Sequence, residues 1–476
     1  MSNTVPRLAL IVAIAASFDS VAVPAQQPAP ADRFVGNWVG TLATPTARLR
    51  LALSVTRDST GGLAGAFISL YQGNAKIPAT MTLHGDTVNV LMTAASASYI
   101  GVITAAGDTL HGTFTQGAPL PLDLARSAAL PAVVRPQEPK PPFPYRQEDV
   151  TFESAPGVRL AGTMVIPAGA GPFPAVVFAT GSGPQNRDEE LLGHKPFLVI
   201  SDYLARHGIA SLRFDDRGTA KSTGNFASAT SADFANDVEA GVRFLRARSG
   251  IAPDHVGIVG HSEGGLIAPI VAARSKDVAF IVLLAGPGIA GDSILLLQQA
   301  LIASTSGVPQ AAIDRNTEAS RRMFAELRAS ADSADAVARL SALSKRMIAT
   351  LPPEAQATAT QQLQMSQVQL VSPWMRYFVT YDPQPTLQKV HVPVLAMNGA
   401  LDLQVPPKQN LPAIEAALQR AGNRDVRIVE MPGLNHLFQT AKTGNPSEYA
   451  AISETFSPAA LDIIATWINA HSGGKK

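Results

Sequence analysis

The chain has 476 residues, enough for two or three domains, and its 38 basic and 37 acidic side chains leave a formal net charge of +1. That balance, with no Lys/Arg cluster, provides no electrostatic footprint for a nucleic-acid partner. Cysteine is absent, which excludes disulfides, thiolate metal sites and a cysteine nucleophile but leaves the compartment open.

The N-terminus reads as a targeting segment. Arg7 precedes an apolar run from Leu8 to Ala16, and Val23 and Ala25 have the −3 and −1 spacing of a signal-peptidase site. A signal peptide over residues 1–25 is expected, and with it a secreted or periplasmic protein. The run is too short to span a bilayer, and no other stretch is long and apolar enough to do so. Residues 26–33 are rich in Pro, Ala and Gln and read as a spacer.

Residues 34–128 carry short alternating runs separated by turns such as Asp58-Ser-Thr-Gly-Gly62 and Ala106-Gly107-Asp108. Leu49, Leu51, Leu53 and Val55 alternate with Arg48, Arg50, Ala52 and Ser54, as a strand with one apolar face requires. Strands are expected over Val35–Leu42, Arg48–Val55, Leu63–Leu70, Ile77–Leu83, Thr87–Met92, Ser98–Ile103, Thr109–Phe114 and Leu120–Leu124. The result is an all-β domain, barrel or sandwich, with no catalytic constellation. It reads as a structural or docking accessory, with an internal carbohydrate or lipid pocket as the sharper alternative. Residues 129–145 hold six prolines between Pro131 and Pro144 and predict a semi-rigid extended linker.

From Arg146 onward, residues 146–476, the pattern alternates strand and helix, predicting an α/β doubly wound, mostly parallel sheet. A hairpin (Val150–Glu153, Arg159–Val165) leads into strand Pro174–Phe178, helix Lys195–His207 and strand Ile209–Phe214. A long helix, Ser231–Ser249, follows with Ser231 as its expected cap. Between about 287 and 384 the alternation gives way to helical spacing, read as an inserted helical cap. Strand Val394–Met397, helix Lys408–Ala421, strand Val426–Glu430 and helix Ala459–Ala470 complete the domain.

The chemistry centres on Gly260-His261-Ser262-Glu263-Gly264-Gly265. A buried apolar run feeds this Gly-x-Ser-x-Gly and a helical pattern leaves it, the setting of a strained strand-to-helix turn that presents a serine. A serine hydroxyl needs a base, and the base needs an orienting acid. Asp402 follows strand Val394–Met397 and His436 follows strand Val426–Glu430, both on loops at the sheet's C-terminal edge. Asp382, Asp425 and Glu430 compete as acids; Asp402 is preferred because its loop is strand-terminal and carries Gly399. The oxyanion donors are expected from the backbone of Glu263 and from the loop Ala179–Pro184, by Ser182 or Gly183, with Ser182 preferred. The side chains of His261 and Glu263 flank the serine and are assigned to packing or helix-start electrostatics. Arg187, Asp188 and Glu189, and likewise Asp215, Asp216 and Arg217, read as charged residues bracing loops through arginine pairs, without metal-ligand spacing. Trp374, Tyr377 and Phe378 are candidate substrate-pocket residues in the cap, with cap-to-core packing as the equal alternative.

Thr180-Gly-Ser-Gly-Pro-Gln-Asn-Arg-Asp-Glu189, Phe214-Asp-Asp-Arg-Gly218 with Ser222-Thr-Gly224, Gly260–Gly265, and Ser372–Phe378 with Tyr381-Asp-Pro383 resemble the bacterial α/β-hydrolase esterases on the prolyl-oligopeptidase side of that superfamily. The resemblance covers about residues 146–470. It implies an α/β-hydrolase fold, Ser262 as nucleophile, Asp402 as acid, His436 as base, and hydrolysis of short-acyl carboxylic esters without cofactor or metal. Thr180 stands where many relatives have histidine, and Ala220 where a glycine is usual. The expected partner is a small-molecule ester; homo-oligomerisation is left open. A serine peptidase or aminoacyl-ester hydrolase is the main rival, though the N-terminal segment is too short for the β-propeller gate of related peptidases. A non-catalytic binding protein is the third reading.

Overall fold

The computed structural model describes residues 31–43, 48–58, 61–70, 75–116, 118–131, 135–350 and 370–472, with isolated residues between 352 and 360. The expected signal peptide and most of the spacer lie outside these residues. The chain divides near Val134 into two compact units.

In the first unit the alternating pattern produces antiparallel strands β1 (Gly36–Ala43), β2 (Arg48–Arg57), β3 (Leu63–Ser69), β4 (Ala75–His84), β5 (Thr87–Met92), β6 (Ala97–Ile103), β7 (Thr109–Gln116), β8 (Ala118–Pro121) and β9 (Leu124–Ser127). The order is β6-β5-β4-β3-β2-β1-β9-β7-β8, and β6 also pairs with β7, so the sheet closes into a barrel with β8 as an outlying hairpin strand. The single strand expected over Leu120–Leu124 is two: among the described residues β8 pairs with β7, while β9 pairs with β1 and with the start of β7. The interior is filled. Trp38, Leu53, Phe67 and Tyr99 are buried, and Phe67 packs against Tyr99 and Phe114 at 5.7 and 5.8 Å. Side chains of this size fill a small barrel, so the described interior is a packed core rather than a ligand cavity.

The second unit is built on β10 (Arg146–Ala155), β11 (Val158–Ile166), β12 (Phe173–Ala179), β13 (Ala210–Phe214), β14 (Ile251–His261), β15 (Ile281–Leu284), β16 (Val394–Gly399) and β17 (Val426–Met431), in the order β10-β11-β13-β12-β14-β15-β16-β17. The leading hairpin is antiparallel and the strands from β13 onward are parallel, as the alternation predicts. Fully buried strands such as Val176-Val177-Phe178 place side chains on both faces, and helices cover each. One face packs on α2 (Ser231–Arg246), α3 (Glu263–Ala272) and α9 (Pro407–Arg420); the other packs on α1 (Pro196–Arg206) and α10 (Pro458–Ser472).

The described residues between β15 and β16 are largely helical as expected: α4 (Gly291–Thr305), α5 (Gln310–Ala329), α6 (Ser333–Ile348), α7 (Pro373–Thr380) and α8 (Gln384–Leu387). It has its own small core of Phe324, Leu327, Ala336, Leu340 and Val379.

Two local expectations change. The cap of α2 is Thr230, not Ser231: the Thr230 side chain and Asp233 form a reciprocal capping box. The proline-rich stretch is no free linker beyond Val134. Arg135 donates to the carbonyls of Ile452 and Ala450, Gln137 accepts from the amides of Thr455 and Phe456, and Tyr145 donates to Asp202 at 2.8 Å. Polar side chains between the prolines pin this segment to the α/β unit.

Candidate active site

Strand β14 ends at His261 and α3 begins at Glu263, leaving Ser262 to make the turn with φ 53° and ψ −116°. That conformation costs a non-glycine residue on the order of 1–3 kcal/mol and persists only because its surroundings hold it. The Ser262 amide donates to the Leu284 carbonyl at 2.8 Å, locking the turn to β15. The glycines follow from crowding. A Cβ at Gly260 would lie 2.0 Å from the Gly264 carbonyl oxygen, and one at Gly264 would lie 2.0 Å from that of Ala179.

Asp402 lies just beyond the end of β16. Its Oδ1 accepts from the amides of Gln404 (2.8 Å) and Val405 (2.9 Å); its Oδ2 accepts from Asn398 Nδ2 (3.2 Å) and faces His436 Nδ1 at 2.8 Å. Both side chains are buried. An ionised carboxylate only accepts, so Nδ1 carries the proton and Nε2 keeps a free lone pair. The His436 loop, after β17, is fixed by Asn435, whose Oδ1 accepts from the amides of Leu437 and Gln439. None of the competing acids is the one beside this imidazole; Asp425 instead pairs with His471.

The loop after β12 runs against the serine: a Cβ at Gly181 would sit 3.4 Å from Ser262 Cβ. The Gly181 amide is committed to Glu189 Oε1 at 2.6 Å. The amides of Ser182 and Glu263 have no backbone acceptor among the described residues, and that of Glu263 is one of the free N–H groups that open α3.

The charged residues around this loop do not behave as one group. Arg187 holds Asp215 through two nitrogens, Arg217 holds Asp237 likewise, and the buried Arg213 pairs with Asp188. Among the described residues Asp216 pairs with no arginine. It accepts from Thr180 Oγ1 and the Gln185 amide, and burial, with Glu263 and Glu189 nearby, pushes its pKa well up. Glu189 turns inward to His261 Nδ1 at 3.0 Å, and His261 Nε2 meets the His436 carbonyl at 3.0 Å. Neither contact is visible in the sequence, where Glu189 is one acid in a mixed run.

Glu263 is buried, and its Oε1 accepts from Ser231 Oγ (2.6 Å) and Trp374 Nε1 (2.7 Å). Thus Trp374, on α7, reaches the residue next to Ser262. Phe378 stacks on Trp374 at 5.2 Å, is itself buried, and packs against Gly291. Tyr377 stacks instead on Tyr381.

Burial pushes the Glu263 carboxyl up to about 7, with the two donors opposing. A carboxyl raised in the folded state takes up its proton there at a pH where the unfolded chain has lost it. Stability is therefore greatest below the ordinary glutamate range and falls as pH rises through about 7. We predict that Glu263→Gln, which keeps the acceptor oxygen, removes a penalty at pH 8 on the order of 3 kcal/mol and changes little at pH 4. Thermal unfolding of both proteins across that range checks this; parallel pH curves would contradict it.

Among the described residues no helix is long and apolar enough to cross a membrane, and no group of three or more acidic or histidine side chains could hold a metal ion.

A family model described as X-Pro dipeptidyl-peptidase (S15 family) matches residues 156–433. The chain is 26% identical over 337 residues to esterase EstD of Thermotoga maritima, covering 69% of this chain and 68% of that protein. Among solved structures it is similar to the α/β hydrolase GrgF from Penicillium (16% identity, TM-score 0.44, 69% of this chain and 99% of that one). It is also similar to the esterase Pf2001 of Pyrococcus furiosus (15% identity, TM-score 0.41, 69% and 94%).

Proposed function

We infer a serine esterase from this chain, which belongs to the X-Pro dipeptidyl-peptidase (S15) family. In the proposed reaction His436 Nε2 takes the Ser262 proton as Oγ attacks the ester carbonyl. The amides of Glu263 and Ser182 stabilise the oxyanion. The alcohol leaves with the proton from His436, and a water, deprotonated by the same nitrogen, cleaves the acyl-enzyme to release acid and free Ser262.

The buried Asp402–His436 pair carries this reading. His436 Nδ1 faces the Asp402 carboxylate at 2.8 Å, and its backbone carbonyl faces His261, the residue that precedes the strained Ser262 turn; this supports His436 as the base and Ser262 as its partner. Similarity to esterase EstD over 69% of the chain favours esters as the substrate class. Short acyl chains are the proposed range, with Trp374, which donates to Glu263 beside Ser262, Phe378 stacked on Trp374, and Tyr377 as the proposed pocket residues. The family description favours a second reading, release of X-Pro dipeptides.

One set of assays separates the two. Purified protein is given p-nitrophenyl acetate, butyrate and octanoate alongside Ala-Pro p-nitroanilide, and a fluorophosphonate probe is mapped by peptide mass. The expected outcome is labelling at Ser262 and turnover highest on the two shorter esters. Anilide release matching ester turnover would replace the esterase reading, and absence of labelling would remove both. Export is part of the proposal and rests on the character of residues 1–25. Intact mass of secreted protein is expected to start near Gln26, and a mature chain beginning at Met1 would remove export.

A further inference from the structure

Three separate loops must meet for the proposed chemistry: the one carrying Gly181 and Ser182, the turn at Ser262, and the one carrying His436. Two side chains that the proposed reaction leaves unused join all three. Glu189 Oε1 accepts from the Gly181 amide at 2.6 Å and faces His261 Nδ1 at 3.0 Å; His261 Nε2 faces the His436 carbonyl at 3.0 Å. His261 immediately precedes Ser262, so the chain of contacts runs from the oxyanion loop through the nucleophile turn to the base.

The acceptors fix the protons. A carbonyl oxygen cannot donate, so Nε2 carries a hydrogen; a carboxylate oxygen already accepting from Gly181 takes the hydrogen of Nδ1. Both contacts together require an imidazolium. Burial alone would expel that charge, but the charge and hydrogen bond of Glu189, the His436 carbonyl and the Asp402 charge together outweigh it, and the His261 pKa stands above its ordinary value. Glu189 and His261 are both buried, and the gap beside them, lined by Pro196, Phe197, Leu284 and Phe456, is too tight to admit water. The other titratable groups facing His261 are the His436 ring, 4.9 Å away between centroids, and Asp402, whose charge also favours the imidazolium. Glu189 is itself held at φ 51°, a strained backbone of the kind that surroundings must enforce.

We propose that Glu189 and His261 are positioning residues that tie the oxyanion loop, the Ser262 turn and the His436 loop into one unit, complete only while His261 carries both ring protons. This rests on the esterase reading of Ser262 and His436. As pH rises and His261 loses a proton, one arm of the tie opens, either to Glu189 or to the His436 carbonyl. The tie therefore writes an alkaline limb into kcat.

Two variants test it. Glu189→Gln keeps an acceptor oxygen for Gly181 and for Nδ1–H but removes the charge that holds His261 protonated. Its kcat for p-nitrophenyl butyrate is expected to fall about tenfold or more with KM nearly unchanged, and its alkaline limb to move to lower pH by about one unit or more. His261→Gln removes the titrating ring; kcat is expected to be low at every pH and the alkaline limb to vanish. Fluorophosphonate labelling rates should follow kcat in both. A limb that stays in place in either variant, or wild-type kcat in Glu189→Gln, overturns the proposal while the esterase reading stands. Should Glu189→Gln fail to fold, wild type and His261→Gln decide: a wild-type profile without an alkaline limb overturns it. Wild-type protein that is not labelled at Ser262 overturns both.

Discussion

Ser262→Ala is expected to melt at the wild-type temperature and to lose about 10⁵–10⁶-fold in kcat on p-nitrophenyl butyrate, the scale seen when a triad serine is removed from another hydrolase. The fold should survive because the contacts that shape the turn are made by backbone: the Ser262 amide to Leu284, its carbonyl to the Gly265 amide, and the close approach of Gly260 to Gly264. Alanine retains the Cβ, so the cost of φ 53° is unchanged. Glycine at the same position would be equally inactive but free of that cost, and so more stable by about 1 kcal/mol or more. The comparison separates the two tasks of the residue, chemistry in the hydroxyl and strain in the backbone. Substantial turnover in Ser262→Ala would remove Ser262 as nucleophile.

The second large effect is at Asp402. Asp402→Asn is expected to lower kcat by about 10⁴-fold, the scale for the same change in a serine protease triad, with the fold intact. The structure gives a reason specific to this chain. Two backbone amides, of Gln404 and Val405, donate to Oδ1. An asparagine must place its carbonyl there, which puts its NH₂ at the position facing His436. Nδ1 then has to accept, the proton moves to Nε2, and the base is lost. Steady-state kinetics with a fluorophosphonate labelling rate measures this, and wild-type kcat would show that another group orients His436.

Much of the fold was legible because burial leaves a period in the sequence. The continuous apolar runs of β12 and β14 announce strands covered on both faces, and the alternation in β2 announces one face in and one out. Closure of the barrel was not legible. Alternation says which face is buried but not which strand is the neighbour, so the pairing of β6 with β7 and the split between β8 and β9 appear only in three dimensions. The α2 cap shows the same limit at short range. Thr230 and Ser231 are both capping types, and the choice turns on Ser231 being drawn 32 positions along the chain to Glu263.

The site divides the same way. Ser262, Asp402 and His436 could be listed because each lies at or just beyond a strand end, and strand ends can be read. Glu189 could not be separated from Arg187 and Asp188, because its inward turn depends on a left-handed backbone and on a histidine 72 positions away. Asn435, which shapes the His436 loop with its side chain, carries no pattern beyond its own residue type.

The cap has one more consequence. Strands β15 and β16 are parallel neighbours, with Leu284 opposite Met397, and a parallel pair cannot be joined by a tight turn. The helical insertion is therefore also the obligatory crossover between them. Its length is nearly free: doubling a connection costs only about 0.6 kcal/mol in closure entropy. A lineage can lengthen, trim or exchange this segment while the sheet and the loops bearing Ser262, Asp402 and His436 keep their register. The length of this crossover and the architecture of the core are thus open to separate inheritance along a single chain.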